Sequence, residues 1–360
     1  LPIVLDAFGQ GAINIPYVSV TVCPPGTGAT SAACQTIDHV QVDTGASGLR
    51  LLKPVLSTAL SLPAVSGQAI GECMQFADGY TWGSVRLADI YLAGEVARNV
   101  PIQDIGDAPG GASVAPTTCS SGGGTIENTV ASLGANGILG VGLFINDSGS
   151  YYTCSGGSCS VTTTTDAQIV KNPVALFAAD NNGVVIDLPA VVAATGDGNL
   201  TGSLIFGIGT QANNALNSET VYPTNSSGDF TTTFGGSTFT SFIDSGSNGL
   251  YFNDPRVGTS NAIPVCTATG YSGFYCPPSP LSLSATNIAA GGSPSGIVNF
   301  TLVDVSARAA NAVAANIGGP PGVFLNSYFD WGLPFFFGRK VFTAIEGKTA
   351  ETAVGPYWAY

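Results

Sequence analysis

Two short segments of the sequence place a carboxylate among hydroxyl and glycine neighbours in the same pattern. Val42-Asp43-Thr44-Gly45-Ala46-Ser47-Gly48-Leu49 aligns with Ile243-Asp244-Ser245-Gly246-Ser247-Asn248-Gly249-Leu250, and the Asp, both Gly and the Leu coincide. Each block follows an apolar, strand-like run, so each Asp ends a strand and enters a tight loop whose backbone and hydroxyl donors can hold its carboxylate. Taken singly, each would be a turn carboxylate capping a loop; the duplication favours a pair. If a pseudo-twofold relates the halves, Asp43 and Asp244 face each other, and two carboxylates at close range share one proton and titrate together. One member then accepts a proton from a bound water while the other donates to the carbonyl under attack. That chemistry cleaves amides without metal, covalent intermediate or histidine. Asp43 and Asp244 are the catalytic candidates, with Thr44, Gly45, Ser245, Gly246 and Ser247 as their support.

The elements that must position these residues read as all-β. Alternating strands are expected over 13–22, 37–42, 85–92, 183–188, 203–207, 239–243 and 297–305, separated by Gly, Asn, Ser or Pro turns. Helical pattern is confined to short candidates over 53–60, 172–179 and 306–315. The threonine-rich stretch 154–165 and the Gly/Ser/Pro-rich stretch 289–295 read as surface loops. A second repeat accompanies the first: Ile138-Leu139-Gly140 and Phe336-Phe337-Gly338 follow their respective Asp residues at nearly equal distance. A strand passing close to each Asp-x-Gly turn would need such a glycine for close backbone approach. The join falls near 189–199, giving an N-terminal lobe over 1–190 and a C-terminal lobe over 191–360.

Composition removes several function classes. Ten Lys and Arg against 23 Asp and Glu give a formal charge of −13, which leaves no basic face for nucleic acid or for an anionic membrane surface. No apolar run reaches the ~18 residues that would cross a bilayer, so no integral membrane segment is expected, and the first residues read as strand rather than as a signal segment. The eight cysteines, Cys23, Cys34, Cys73, Cys119, Cys154, Cys159, Cys266 and Cys276, suit four disulfides in an oxidising compartment, secreted or periplasmic. Pairing neighbours in sequence joins Cys23 to Cys34, Cys154 to Cys159 and Cys266 to Cys276, leaving Cys73 with Cys119. Metal binding has little support with one histidine and no thiolate cluster at zinc spacing. That histidine, His39, has no G-x-S-x-G serine to serve, and Gly207-Ile208-Gly209 lacks a dinucleotide fingerprint, so no cofactor is expected.

On Asp43-Thr44-Gly45, Ile138-Leu139-Gly140, Asp244-Ser245-Gly246 and the stretch Phe76-Ala77-Asp78-Gly79-Tyr80-Thr81-Trp82-Gly83, the chain resembles a pepsin-like aspartic peptidase. It is also similar to a branch of secreted bacterial proteins with a terminal Gly-Leu-Pro-Phe-Phe-Phe-Gly-Arg run, here 332–339. The resemblance implies a bilobal double β-barrel with a few short helices, a long cleft, and an extended peptide held beneath a β-hairpin flap. It makes Phe76, Tyr80 and Trp82 the flap and substrate candidates, although hairpin packing would use the same aromatics. Three residues depart from the family pattern. Ala46 stands where a Ser or Thr usually donates to the first Asp, and loss of that donor should raise the proton affinity of its half and make the activity optimum less acidic. Phe76 stands where the flap usually carries Tyr, and Arg339 where Asp usually follows the second-lobe glycine. The implied function is a secreted, monomeric aspartic endopeptidase acting on peptide or protein substrates. The alternative is a binding or cell-surface module that keeps the fold without turnover.

Overall fold

The computed structural model describes residues 1–8, 13–192, 194–322, 325–351 and 353–360. Apolar alternation becomes strand nearly wherever it occurs. In Tyr17–Cys23, for example, Val18, Val20 and Val22 are buried while Ser19 is exposed, the period-two burial that β-branched residues satisfy at low entropic cost. The helical candidates shrink to single 3-10 turns at Lys53–Val55, Pro173–Leu176 and Val305–Ala307. Pro54 and Pro173 sit within the first two positions of their turns, and each turn gives way at once to extended backbone. The α-helices among the described residues, Thr117–Ser120 and Val130–Leu133, have four residues each. The expected loop over 154–165 is in part a hairpin, Ser150–Ser155 with Ser158–Val161, turning at two glycines with positive φ, Gly156 and Gly157.

The chain forms two compact units. One comprises Leu1, Tyr17–Val42 and Ala46–Asn181; the other comprises Pro2–Pro16, Asp43–Gly45 and Asn182–Tyr360. This differs from a simple cut near residue 190, because two N-terminal pieces group with the second unit. Pro2–Leu5 pairs antiparallel with the strand Leu200–Phe206, and Thr44 is hydrogen-bonded to Ser245.

In the first unit a closed six-strand barrel runs through Tyr17–Cys23, Gln35–Asp43, Gly137–Val141, Ser47–Leu52, Glu95–Ile105 and Gly79–Leu92, which pairs back to Tyr17–Cys23. Closure removes the free edges that would otherwise invite pairing with another chain. In the second unit Pro2–Leu5, Leu200–Phe206, Gly183–Leu188, Arg339–Ala344, Tyr357–Ala359 and Val221–Pro223 lie side by side. A separate seven-stranded sheet follows the order Ser295–Leu302, Leu281–Ile288, Phe230–Phe234, Ser237–Ile243, Tyr328–Trp331, Leu250–Phe252 and Gly318–Gly319. The four disulfides join Cys23 to Cys34, Cys73 to Cys119, Cys154 to Cys159 and Cys266 to Cys276.

The core of the seven-stranded sheet is aromatic. Phe329 stacks on Phe252 at 4.5 Å and on Trp331 at 4.3 Å, with Phe234, Phe239 and Phe300 set edge-on around it. Trp331 Nε1 donates to Thr232 Oγ1, so the indole is buried without an orphaned donor. Phe329→Ala should therefore cost about 3–5 kcal/mol in urea-induced unfolding followed by tryptophan fluorescence. Ile297→Thr, on an exposed position of the same sheet, should stay within about 0.5 kcal/mol. Equal effects of the two would contradict this core.

Candidate active site

The two Asp-containing loops meet in the second unit. Thr44 N–H donates to Ser245 Oγ at 3.1 Å, and Ser245 N–H donates to Thr44 Oγ1 at 2.9 Å. Thr44 Oγ1–H in turn donates to the Ile243 carbonyl at 3.1 Å. The interlock is reciprocal and buried, so neither loop can shift without orphaning a backbone N–H of the other. Each carboxylate is also held by its own loop: Gly45 N–H donates to Asp43 Oδ1 and Gly246 N–H to Asp244 Oδ1, both at 2.7 Å. Ser247 Oγ adds a bond to Asp244 Oδ2 at 2.8 Å.

Both glycines are required by space. A Cβ on Gly45 would lie 2.7 Å from Asp244 Cγ, and a Cβ on Gly246 would lie 2.7 Å from Asp43 Cγ. The same point beside Gly246 is 2.8 Å from Asp43 Oδ1 and 3.0 Å from Asp244 Oδ1. Two carboxylate oxygens from residues 201 positions apart thus surround a single position and are separated by less than twice the larger distance. Asp43, Asp244, Thr44, Gly45, Ser245, Gly246 and Ser247 are all brought together.

The strand Tyr328–Trp331 supports the Asp244 loop. Asp244 N–H donates to the Trp331 carbonyl, and Leu333 N–H to the Ser247 carbonyl. Gly332 makes the close approach, since a Cβ there would stand 2.0 Å from the Gly249 carbonyl oxygen. The expected partner, Phe336-Phe337-Gly338, lies elsewhere: Leu333–Phe336 is a 3-10 turn, and Gly338 N–H donates to Leu188. The counterpart of Ile138-Leu139-Gly140 is therefore Asp330-Trp331-Gly332, six residues earlier. In the first unit Leu49 faces Leu139 and Gly48 faces Gly140; in the second Leu250 faces Trp331. Spacing alone selected the wrong apolar-apolar-glycine run, because an acid stands where the first half has Ile138. Arg339 consequently departs from no loop position. Its guanidinium donates to the Phe335 and Asn299 carbonyls and lies over the Phe335 ring at 4.7 Å.

A family model described as a protein of unknown function (DUF3443) matches residues 2–360. The chain belongs to that family. No curated protein matches it.

Two site residues of this DUF3443 chain escape the sequence pattern. Asn14, fully buried with φ 58°, donates from Nδ2 to the Asn248 and Ala315 carbonyls and accepts from Ala315 N–H, which pins the loop after Ser247. Nothing in its sequence context marks it. Asp330 is 2% exposed, with Oδ1 buried and unpaired. Burial, joined by the negative charges of Asp244 and Asp43, pushes its carboxyl well above the ordinary carboxylate range. Its signal was available: it is the one charged residue in the run 328–338.

The remaining candidates of the DUF3443 chain lie in its first unit. Ile70–Gln75 and Gly79–Leu92 form a hairpin whose turn is closed by Phe76 N–H donating to the Gly79 carbonyl. Phe76 and Tyr80 are half-buried. Trp82 is a core residue instead of a substrate contact. Only 1% exposed, it packs on Tyr152 and the Cys73–Cys119 bridge and donates from Nε1 to the Ala112 carbonyl. His39 packs edge-on to Tyr17 and lies 3.3 Å from Asp38. Below Ser47, buried Arg50 donates to the Ser47 carbonyl and to both Glu72 and Asp147, with Tyr151 donating to Asp147. Among the described residues, the metal-type cluster Cys266, Cys276 and Asp304 has both sulfurs committed to a disulfide.

The raised proton affinity of Asp330 has a consequence for stability. Between the unfolded carboxyl value, about 4, and the higher folded value, the native state binds more protons than the unfolded one, so stability falls as pH rises. Asp330→Asn removes that loss. The variant should melt at higher temperature than wild type at pH 7, and the difference should vanish below about pH 4. A wild type at least as stable as the variant at pH 7 would contradict the placement of this carboxyl.

Proposed function

We propose that the protein is an exported aspartic endopeptidase of the pepsin-like kind, in which Asp43 and Asp244 activate one water against a peptide bond. The observation that carries this reading is the interlock of the two Asp-x-Gly loops around a single point within 3.0 Å of an oxygen from each carboxyl. The recurrence of the same strand neighbours around each loop supports a pseudo-twofold origin of the pair. The four disulfides support folding in an oxidising compartment, and no helix among the described residues is long and apolar enough to cross a membrane.

In this reading the pair carries one proton. The ionised member takes a proton from the water as its oxygen bonds to the scissile carbonyl carbon, and the protonated member donates to the carbonyl oxygen. The tetrahedral diol then collapses: one diol hydroxyl returns its proton to the ionised member, the C–N bond breaks as the amine takes a proton from the other, and the pair again carries one proton. The fixed Gly45 and Gly246 donors keep both carboxylates oriented through this exchange. Phe76 and Tyr80 stay candidates for contact with the peptide.

A second reading, a peptide-binding protein without turnover, draws on Ala46 and Phe76, which lack the hydroxyls that the resemblance leads one to expect. A peptide-library digest between about pH 3 and 7 separates the two. Wild type should cleave, and Asp43→Asn and Asp244→Asn should each lose about a thousandfold in rate, within the usual range for removing an acid–base group. Peptide retention with no cleavage at any pH favours the binding reading. Cleavage undiminished in both variants rejects the pair as its source.

A further inference from the structure

A continuous chain of hydrogen bonds runs through the interior of the first unit. Arg50 Nη1 donates to the Ser47 carbonyl and Arg50 Nη2 to Glu72 Oε1, both at 2.8 Å. The Glu72 carbonyl accepts from Gln103 Nε2 at 2.9 Å, and Gln103 Oε1 accepts from Thr81 Oγ1 at 2.7 Å. Arg50, Glu72, Gln103 and Thr81 are all fully buried. Strand register makes the chain possible. Gln103 is paired with Arg50 on one neighbouring strand and with Val85 on the other, and period-two alternation puts Thr81 on the same face as Val85.

The two ends of the chain belong to different parts of the unit. Ser47 lies four residues past Asp43, and its segment is held from the other side as well: Gly142 N–H donates to the Ala46 carbonyl, and Ser47 Oγ to the Phe144 carbonyl. Glu72 and Thr81 stand on the two strands of the hairpin whose turn begins at Phe76. Stability alone does not account for such a chain. Burying one guanidinium with the carboxylates of Glu72 and Asp147 costs desolvation that apolar side chains of similar volume would avoid, and Arg50 Nε and Glu72 Oε2 have no partner. What a buried polar network can supply instead is one fixed arrangement of the parts it joins.

We infer that Arg50, Glu72, Gln103 and Thr81 are positioning residues: they lock the hairpin to the segment that follows the Asp43 loop, so that its turn keeps one place relative to Ser47. The consequence for peptide rests on the reading in the preceding subsection, in which Phe76 and Tyr80 are the candidates for contact with it; the lock itself does not. The chain ends at the backbone carbonyl of Ser47 and not at a carboxyl of the pair. Its loss should therefore weaken the hold on the peptide and leave the chemical step alone.

Loss of Arg50 would strand two buried acids and threaten folding, so the test enters at the far end of the chain. Thr81→Val keeps the side-chain shape and removes the last donor, whereas Thr81→Ser keeps that donor. Amide hydrogen exchange of the whole protein, followed by NMR, reads the lock without catalysis. In Thr81→Val the Phe76 amide at the hairpin turn and the Gly142 amide bonded to Ala46 should both exchange about three- to tenfold faster than in wild type, the span of one lost hydrogen bond, with Thr81→Ser close to wild type. The Ile208 amide, bonded to Asn182 in the second unit, should keep its rate. No rise at Gly142, or an equal rise at Ile208, overturns the lock, whatever the activity. In peptide cleavage, Thr81→Val should raise KM about three- to tenfold at unchanged kcat, and Thr81→Ser should restore it. A fall in kcat at unchanged KM, or no rescue by Thr81→Ser, overturns the positioning role. If wild type cleaves no peptide, the proteolytic reading fails by itself, and hydrogen exchange still decides whether the hairpin and the Ser47 segment are locked together.

Discussion

Two acids of like charge do not come together unless something rigid holds them there, and here that is the reciprocal bond between the Thr44 and Ser245 loops. At an effective dielectric of about 20, two unit negative charges 4 Å apart repel by about 4 kcal/mol, more than one ordinary hydrogen bond returns. The interlock answers this with crossed bonds between backbone amides and side-chain hydroxyls, buried from water. It works only because both following residues are glycine: a single added carbon at Gly45 or Gly246 would come within 2.7 Å of the opposite carboxyl carbon. Sequence duplication and loop geometry meet at the six residues of the two Asp-x-Gly triplets.

The rest of the second unit braces that junction. Gly332 lets the Tyr328–Trp331 strand run against the Gly249 carbonyl, Asn14 reaches in from the N-terminal segment to fix Asn248, and the Trp331 indole anchors the strand in the aromatic core through Thr232. Thr232 Oγ1 donates in turn to Asn287, whose amide donates to the Tyr360 hydroxyl, so the anchoring chain ends at the last residue of the sequence. Placing the two carboxyl groups on loops clamped between strands fixes their orientation, which the proposed acid–base chemistry requires, since donors that are already aligned need not reorganise during a reaction.

The legible part of the fold was what local alternation and repetition encode. Period-two runs marked seven strands of the two units, the duplicated Asp-x-Gly blocks marked the pair, and the cysteine order marked all four disulfides. The misread parts depended on tertiary context. Phe336-Phe337-Gly338 had the composition of a strand passing an Asp loop, but the passing strand contains Asp330, and a search for two apolar residues before glycine skips an acid. Trp82 read equally as hairpin packing or as a substrate contact, because β-sheet periodicity gives alternation but not which face meets the disulfide and Tyr152. Asn14 was invisible because its three side-chain bonds reach residues more than 200 positions away. Two of the three helical candidates stop after one 3-10 turn that carries a proline in its first two positions and runs straight into extended backbone; Val305–Ala307 stops without one.

The claim on which the account turns is that the two carboxyl groups share one solvent molecule. A crystal structure of the wild-type protein at atomic resolution, grown near pH 5 without inhibitor, tests it most directly. The account requires a single ordered water within hydrogen-bonding distance of both Asp43 and Asp244, with the Ser247 hydroxyl bonded to Asp244. Carboxyl groups turned apart, each with its own separate solvent, would contradict it.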